Sequence, residues 1–113
     1  MLSSIALLLA LQTPPAHTLA SCNRDATVTA QVAPDFPAGG REAGLGQSTV
    51  SIKVYLSPKG TIAALRVFSS SGNFDLDQAA LRAAAQSTYS PRVKNCKPAF
   101  GLYLFKVTFD PNQ

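Results

Sequence analysis

The stretch Val67-Phe-Ser-Ser-Ser-Gly-Asn-Phe-Asp-Leu-Asp-Gln-Ala-Ala-Leu81 changes its periodicity in the middle. Its first residues end an extended run. Ser70-Ser-Gly-Asn73 then breaks that run with short hydroxyl side chains and a glycine, which favour a tight turn. From Leu76 to Gln86 the spacing is helical: Leu76, Ala80 and Ala83 fall on one stripe, flanked by Ala79 and Ala84. The pattern predicts Asp75 as the N-cap, Gln78 as its capping-box partner, and Phe74 stapled against Ala79. Asp77 adds negative charge to the first turn. A stripe made mostly of alanine lets a helix backbone sit close to the sheet that it covers. Tyr89-Ser-Pro91 ends the helix, because Pro91 disfavours helical geometry at Ser90.

Working outward, Thr49 to Leu56 alternates cleanly. Val50, Ile52, Val54 and Leu56 share one face, and Thr49, Ser51, Lys53 and Tyr55 the other. One buried and one wet face suit an antiparallel sheet covered on a single side. Ser57-Pro-Lys-Gly60 reads as the turn to a partner strand over 61–69. Leu65 and Val67 point one way there and Ile62 the other, so a bulge is expected between Ile62 and Leu65. Arg92 to Pro98 reads as a basic loop holding Cys96. Phe100 to Phe109 is a long strand with Tyr103, Phe105, Val107 and Phe109 on one face. Leu102, Leu104, Lys106 and Thr108 lie on the other. Near the start, Val28, Ala30 and Val32 alternate with polar residues, which predicts a further short strand at about 26–33. Pro34-Asp-Phe-Pro37 stops that strand. A glycine-rich loop follows, with one helical turn expected around Arg41 to Ala43.

These elements predict an α+β fold. Its antiparallel sheet has three to four strands, in the order 61–69, 49–56, 100–109, with one main helix on one face as a split β-α-β unit. Strand 100–109 then has a free edge unless residues 26–33 cover it.

The chain has 113 residues, 46% of them hydrophobic, and ten Lys plus Arg against six Asp plus Glu. That is room for one folded domain. No charged side chain occurs before Ser21. Ile5 to Leu11 is an apolar run too short to span a membrane. The run, Gln12-Thr-Pro-Pro15 and the small residues after it have the layout of a secretory signal peptide over 1–21, leaving a domain over 22–113. In an exported chain, Cys22 and Cys96 are expected to pair, closing a loop of about 74 residues worth roughly 4 kcal/mol. Leu19-Ala-Ser-Cys22 also resembles a bacterial lipobox. In that alternative Cys22 carries a lipid, and membrane contact is expected only then.

The composition also argues against whole classes of chemistry. The one histidine, His17, lies in the segment expected to be removed, and two cysteines are too few for a structural zinc site. No catalytic, cofactor-binding or metal-ligating residues are therefore expected. Only Arg92, Lys94 and Lys97 cluster, and nucleic acid would want denser charge with interleaved aromatics.

From Pro34 to Phe109 the chain resembles the TonB C-terminal domain family. The resemblance rests on Pro34-Asp-Phe-Pro37, Val50-Ser-Ile-Lys-Val54, Gly60-Thr-Ile62, Tyr89-Ser-Pro91 and Phe105-Lys-Val-Thr-Phe109. It rests most of all on Ser70-Ser-Gly72 followed by Leu76-Asp-Gln-Ala-Ala80. Ser70, Ser71, Gly72, Leu76, Asp77, Ala79 and Ala80 read as fold chemistry rather than as a site. The resemblance implies an envelope protein that binds protein partners. An extended segment of an outer-membrane receptor, or a second copy of the chain, would add as a strand along Phe100, Gly101, Leu102, Tyr103, Leu104 and Lys106. Energy transducers of the family carry a membrane helix and a Pro-rich linker, and neither is expected here. The alternative is an envelope scaffold whose own N-terminal strand caps that edge.

Overall fold

The computed structural model describes residues 22–38 and 46–110. The expected signal segment and the expected helical turn around Arg41 lie outside the described residues. The strands are β1 (Thr27–Ala30), β2 (Ser48–Leu56), β3 (Ile62–Ser69), β4 (Thr88–Ser90), β5 (Arg92–Lys94), β6 (Lys97–Ala99) and β7 (Gly101–Phe109), with one helix, α1 (Phe74–Gln86). The principal sheet is antiparallel in the order β3-β2-β7, as the split β-α-β arrangement predicts. β1 pairs with β4, and β5 with β6, in two small ribbons beside it.

The core lies between this sheet and α1. Val50, Ile52, Val54 and Leu56 of β2 are fully buried, and Phe105, Val107 and Phe109 of β7 extend their layer. Against them sits the predicted helix stripe, with Leu76, Ala79, Ala80, Ala83 and Ala84 all buried. The four alanines leave no side-chain spacer between helix and sheet. Each large side chain buried here contributes roughly 1.5–3 kcal/mol. The expected bulge is present: Tyr55 faces Ala64 while Leu56 faces Ile62, so Ala63 is the extra residue. It lets Ile62 and Leu65 both pack on the core despite their opposite parity.

The N-terminus of α1 differs from the expectation. Asn73, with extended backbone (φ −125°, ψ 124°), is the N-cap, and its side chain accepts from the Leu76 N–H at 3.0 Å. Asp75 is therefore already inside the first turn, which removes the basis for a capping box with Gln78. Phe74 is 74% exposed instead of stapled. At the other end no basic residue faces the free carbonyls. Ser87 Oγ donates to the Ala83 carbonyl and Tyr89 Oη to the Ala84 carbonyl, both at 2.7 Å.

The segment read as a basic loop is a hairpin. Lys94 faces Lys97 across a two-residue turn in which Asn95 and Cys96 both have positive φ (53° and 66°). This is the backbone of a type I′ turn, for which Asn-Gly is the preferred pair. Cys96 sits at the second position, bridged to Cys22 with Cα atoms 4.2 Å apart, and its N–H donates to the Cys22 carbonyl. The bridge occupies the thiol that lipidation would need. From it the N-terminal segment runs antiparallel to residues 87–96. Arg24 exchanges two backbone hydrogen bonds with Val93, Thr27 faces Ser90, and the Val32 N–H donates to Ser87 Oγ.

Two outcomes follow. In the bridge-free background, Cys22→Ala/Cys96→Gly unfolds about 1 kcal/mol less readily than Cys22→Ala/Cys96→Ala in urea, because glycine relieves the left-handed backbone at 96. Gly60 (φ +81°) and Gly72 (φ +87°) are both left-handed, but a Cβ on Gly60 would stand 2.9 Å from the Tyr89 carbonyl while one on Gly72 meets open space. Gly60→Ala is therefore the more destabilising of the two alanine substitutions, Gly72→Ala costing only about 1 kcal/mol.

Candidate binding edge and the serine–aspartate knot

The family-like motif folds into a knot at the junction of β3 and α1. The Asp77 carboxylate accepts from Ser71 N–H at 2.9 Å and Ser71 Oγ at 2.8 Å, and also from Ser70 Oγ. The Gly72 N–H donates to Ser70 Oγ, and the Asn73 N–H to Ser71 Oγ. Burial pushes the Asp77 carboxyl upward, but the bonds from Ser70 and Ser71 outweigh it and hold the group below the ordinary carboxylate range. Both serine hydroxyls and the N–H groups of Ser71, Gly72 and Asn73 have local partners, so the knot turns these polar groups inward on its own shape. Leu76, Ala79 and Ala80 are buried beneath the helix. The motif therefore builds the turn and the helix seat.

The sheet edges are a different matter. β3 and β7 each pair only with β2 among the described residues, so each has an outer edge. The edges are unlike. β3 carries two register shifts: Phe68 is an extra residue between the pairs Ser51–Ser69 and Ile52–Val67, and Ala63 is the second. Bulges twist an edge away from further pairing. β7 pairs with β2 over nine consecutive residues without a shift, from Gly101 opposite Leu56 to Phe109 opposite Ser48. Its outer edge is the regular one. β1, the alternative cover for that edge, lies against β4.

Along β7 the expected residues divide by face. Leu102 is 48% exposed, Leu104 half-buried and Lys106 exposed, all on the side away from α1. Tyr103 is half-buried on the core side, its ring 5.7 Å from that of Tyr89. Phe100 precedes the strand and is 69% exposed. Gly101 permits close packing, since a Cβ there would lie 2.6 Å from Arg92 Cβ. Arg92, Lys94 and Lys97 stand exposed on their hairpin. Among the described residues no group of three His, Cys, Asp or Glu side chains could hold a metal ion. Lys53 and Arg66, on the outer face beside Lys106, are brought together only by the register. Strand parity combined with strand order was the signal for them.

The family described as Gram-negative bacterial TonB protein C-terminal matches residues 32–111. Protein TonB of Vibrio cholerae serotype O1 (strain ATCC 39315 / El Tor Inaba N16961) is 36% identical over 76 residues, covering 67% of this chain and 31% of that relative. The chain thus spans about a third of that relative's length.

The knot yields a pH-dependent outcome. A carboxyl held below its unfolded value, about 3.9, adds stability above that value, and the contribution is lost as pH falls through the folded one. Asp77→Ala should cost about 1–2 kcal/mol at neutral pH by stranding the Ser71 N–H. Urea unfolding at descending pH should show the gap between native chain and variant closing below about pH 4.

Proposed function

The chain belongs to the family of Gram-negative bacterial TonB protein C-terminal domains, and on that premise we propose that it is an exported, non-enzymatic protein-binding domain of the cell envelope. Its partner is an extended segment, from an outer-membrane receptor or a second copy of the chain, which adds as a strand along β7. The observation that carries this reading is the contrast between the edges. β3 is interrupted twice, and β7 is regular over nine residues with no strand on its outer side among the described residues.

The chemistry of such an edge is general. Backbone amides and carbonyls on the open side of β7 accept any extended chain, each hydrogen bond contributing about 0.5–1.5 kcal/mol net. Choice among partners comes from the alternating side chains. On the outer face Leu102, Leu104 and Lys106 meet the incoming strand, and on the inner face Tyr103 stands at the boundary of the core. The disulfide supports the same reading indirectly. It ties the N-terminal segment along residues 87–96, where β1 pairs with β4 rather than with β7. The scaffold alternative needed β1 on that edge, so the β1–β4 pairing speaks against it.

Amide chemical shifts of labelled protein, followed while an extended receptor peptide is added, should change along Gly101–Phe109 and little along Ile62–Ser69. A peptide with proline at alternate positions lacks the donors for pairing and should bind at least about tenfold more weakly. Shifts confined to residues outside β7 would exclude strand addition there.

A further inference from the structure

α1 covers one face of the principal sheet, and among the described residues no helix covers the other. The register shows what that outer face presents. Tyr55 stands between Leu102 and Ala64, Lys53 between Leu104 and Arg66, and Ser51 between Lys106 and Ser69. Three cations, Lys53, Arg66 and Lys106, therefore sit on neighbouring strands. None of the strands of this sheet contains an acid. Large apolar groups are mixed with the charge. Phe68 is 59% exposed and Leu102 48% exposed, and Phe100 lies two residues upstream at 69%. Lys53 Nζ rests over the Phe68 ring, 4.6 Å from its centroid. A face that merely meets water carries polar groups of both signs, and this one carries apolar groups and one sign.

We propose that this outer face docks on an anionic phospholipid surface. Lys53, Arg66 and Lys106 would lie at the phosphates, with Phe68 and Leu102 at the boundary of the acyl chains. Charge selects the occupant. A second copy packed face to face would oppose three cations with three cations. A helical partner would want a groove, and among the described residues the best-formed concavities lie elsewhere: beside Ala33–Phe36 and Thr108–Asp110, beside α1, and beside Asn23–Asp25. The face of a short sheet is broad and shallow, which fits a lipid surface that is itself broad, anionic and apolar just beneath. The long stems of Lys and Arg lie along apolar groups while their heads reach phosphate, as Lys53 already does over Phe68. Such docking needs no lipid on Cys22, and it leaves the backbone groups of the β7 edge free while sharing the side chains of Leu102 and Lys106 with that edge.

The test is co-sedimentation of the disulfide-bonded chain with phosphatidylcholine vesicles, with and without phosphatidylglycerol. Binding is expected only when phosphatidylglycerol is present, and it weakens as salt is raised. Lys53→Gln/Arg66→Gln should lower the partition about 30-fold, and the exposed single change Arg66→Gln about fivefold, with thermal unfolding of the single variant unchanged. Phe68→Ser should lower it as well. Lys53, Arg66 and Phe68 lie on β2 and β3, so peptide binding at β7 is scored separately in the same variants. Equal binding to neutral vesicles, no binding to anionic ones, or indifference to both charge-removing variants would overturn the proposal. So would an acidic envelope protein that shields Lys53 from amine-reactive label where anionic vesicles do not.

Discussion

One helix covering one face of a three-stranded sheet is the constraint from which the rest of the molecule follows. The contact is close because the covering stripe of α1 is Leu76 with four alanines, all buried. Such a seat leaves little volume for large side chains from the helix, so the sheet supplies them, through Ile52, Leu56 and Phe105 above all. It also fixes what remains open. A single helix leaves the second face without a covering helix, and both outer edges of the sheet without a paired strand, among the described residues. The regions with room for a partner are therefore consequences of a minimal core.

The N-terminal strap solves the problem of closing so small a structure. It could have taken the β7 edge and made a fourth strand. It runs instead along residues 87–96, from the Cys22–Cys96 bridge to the hydrogen bond between the Val32 N–H and Ser87 Oγ. That path stabilises the exit of α1 and the β5–β6 hairpin, both of which have few core residues of their own. The edge that the strap avoids is the regular one, while the interrupted edge lies on the far side of the sheet. Stability and an accessible edge are thus compatible because the strap is fastened to the connection between helix and last strand.

In the Ser70–Gly72 and Leu76–Ala80 motif the polar groups are turned to one another. Ser70, Ser71 and Asp77 satisfy one another's hydrogen bonds, and Asn73 caps the helix. Its role is to fix the angle at which α1 leaves β3, and so the position of the alanine stripe over β2. The groups proposed to meet a partner, Leu102, Leu104 and Lys106, are by contrast ordinary residues of an alternating strand, distinguished only by where the fold leaves them.

Read alone, the sequence yields the strand faces, the helix stripe, a bulge between Ile62 and Leu65, the order of the principal sheet and the family. The faces, the stripe and the bulge rest on local periodicity, where backbone geometry dictates which side chains share a face; the sheet order follows from the hairpin and the helix that returns the chain. It misplaced the helix cap, because Asn73, Asp75 and Asp77 are all competent acceptors, and only the path of the chain through Ser70–Gly72 decides which one faces the free amides. It read the β5–β6 hairpin as a loop because short strands with three cations carry no apolar alternation. Tertiary structure alone decided that β1 lies on β4, which edge of the sheet stays regular, and that Lys53, Arg66 and Lys106 share one face with Phe68. Those outcomes depend on pairings between segments far apart in sequence, and hydrogen-bond register is set there by the whole packed assembly.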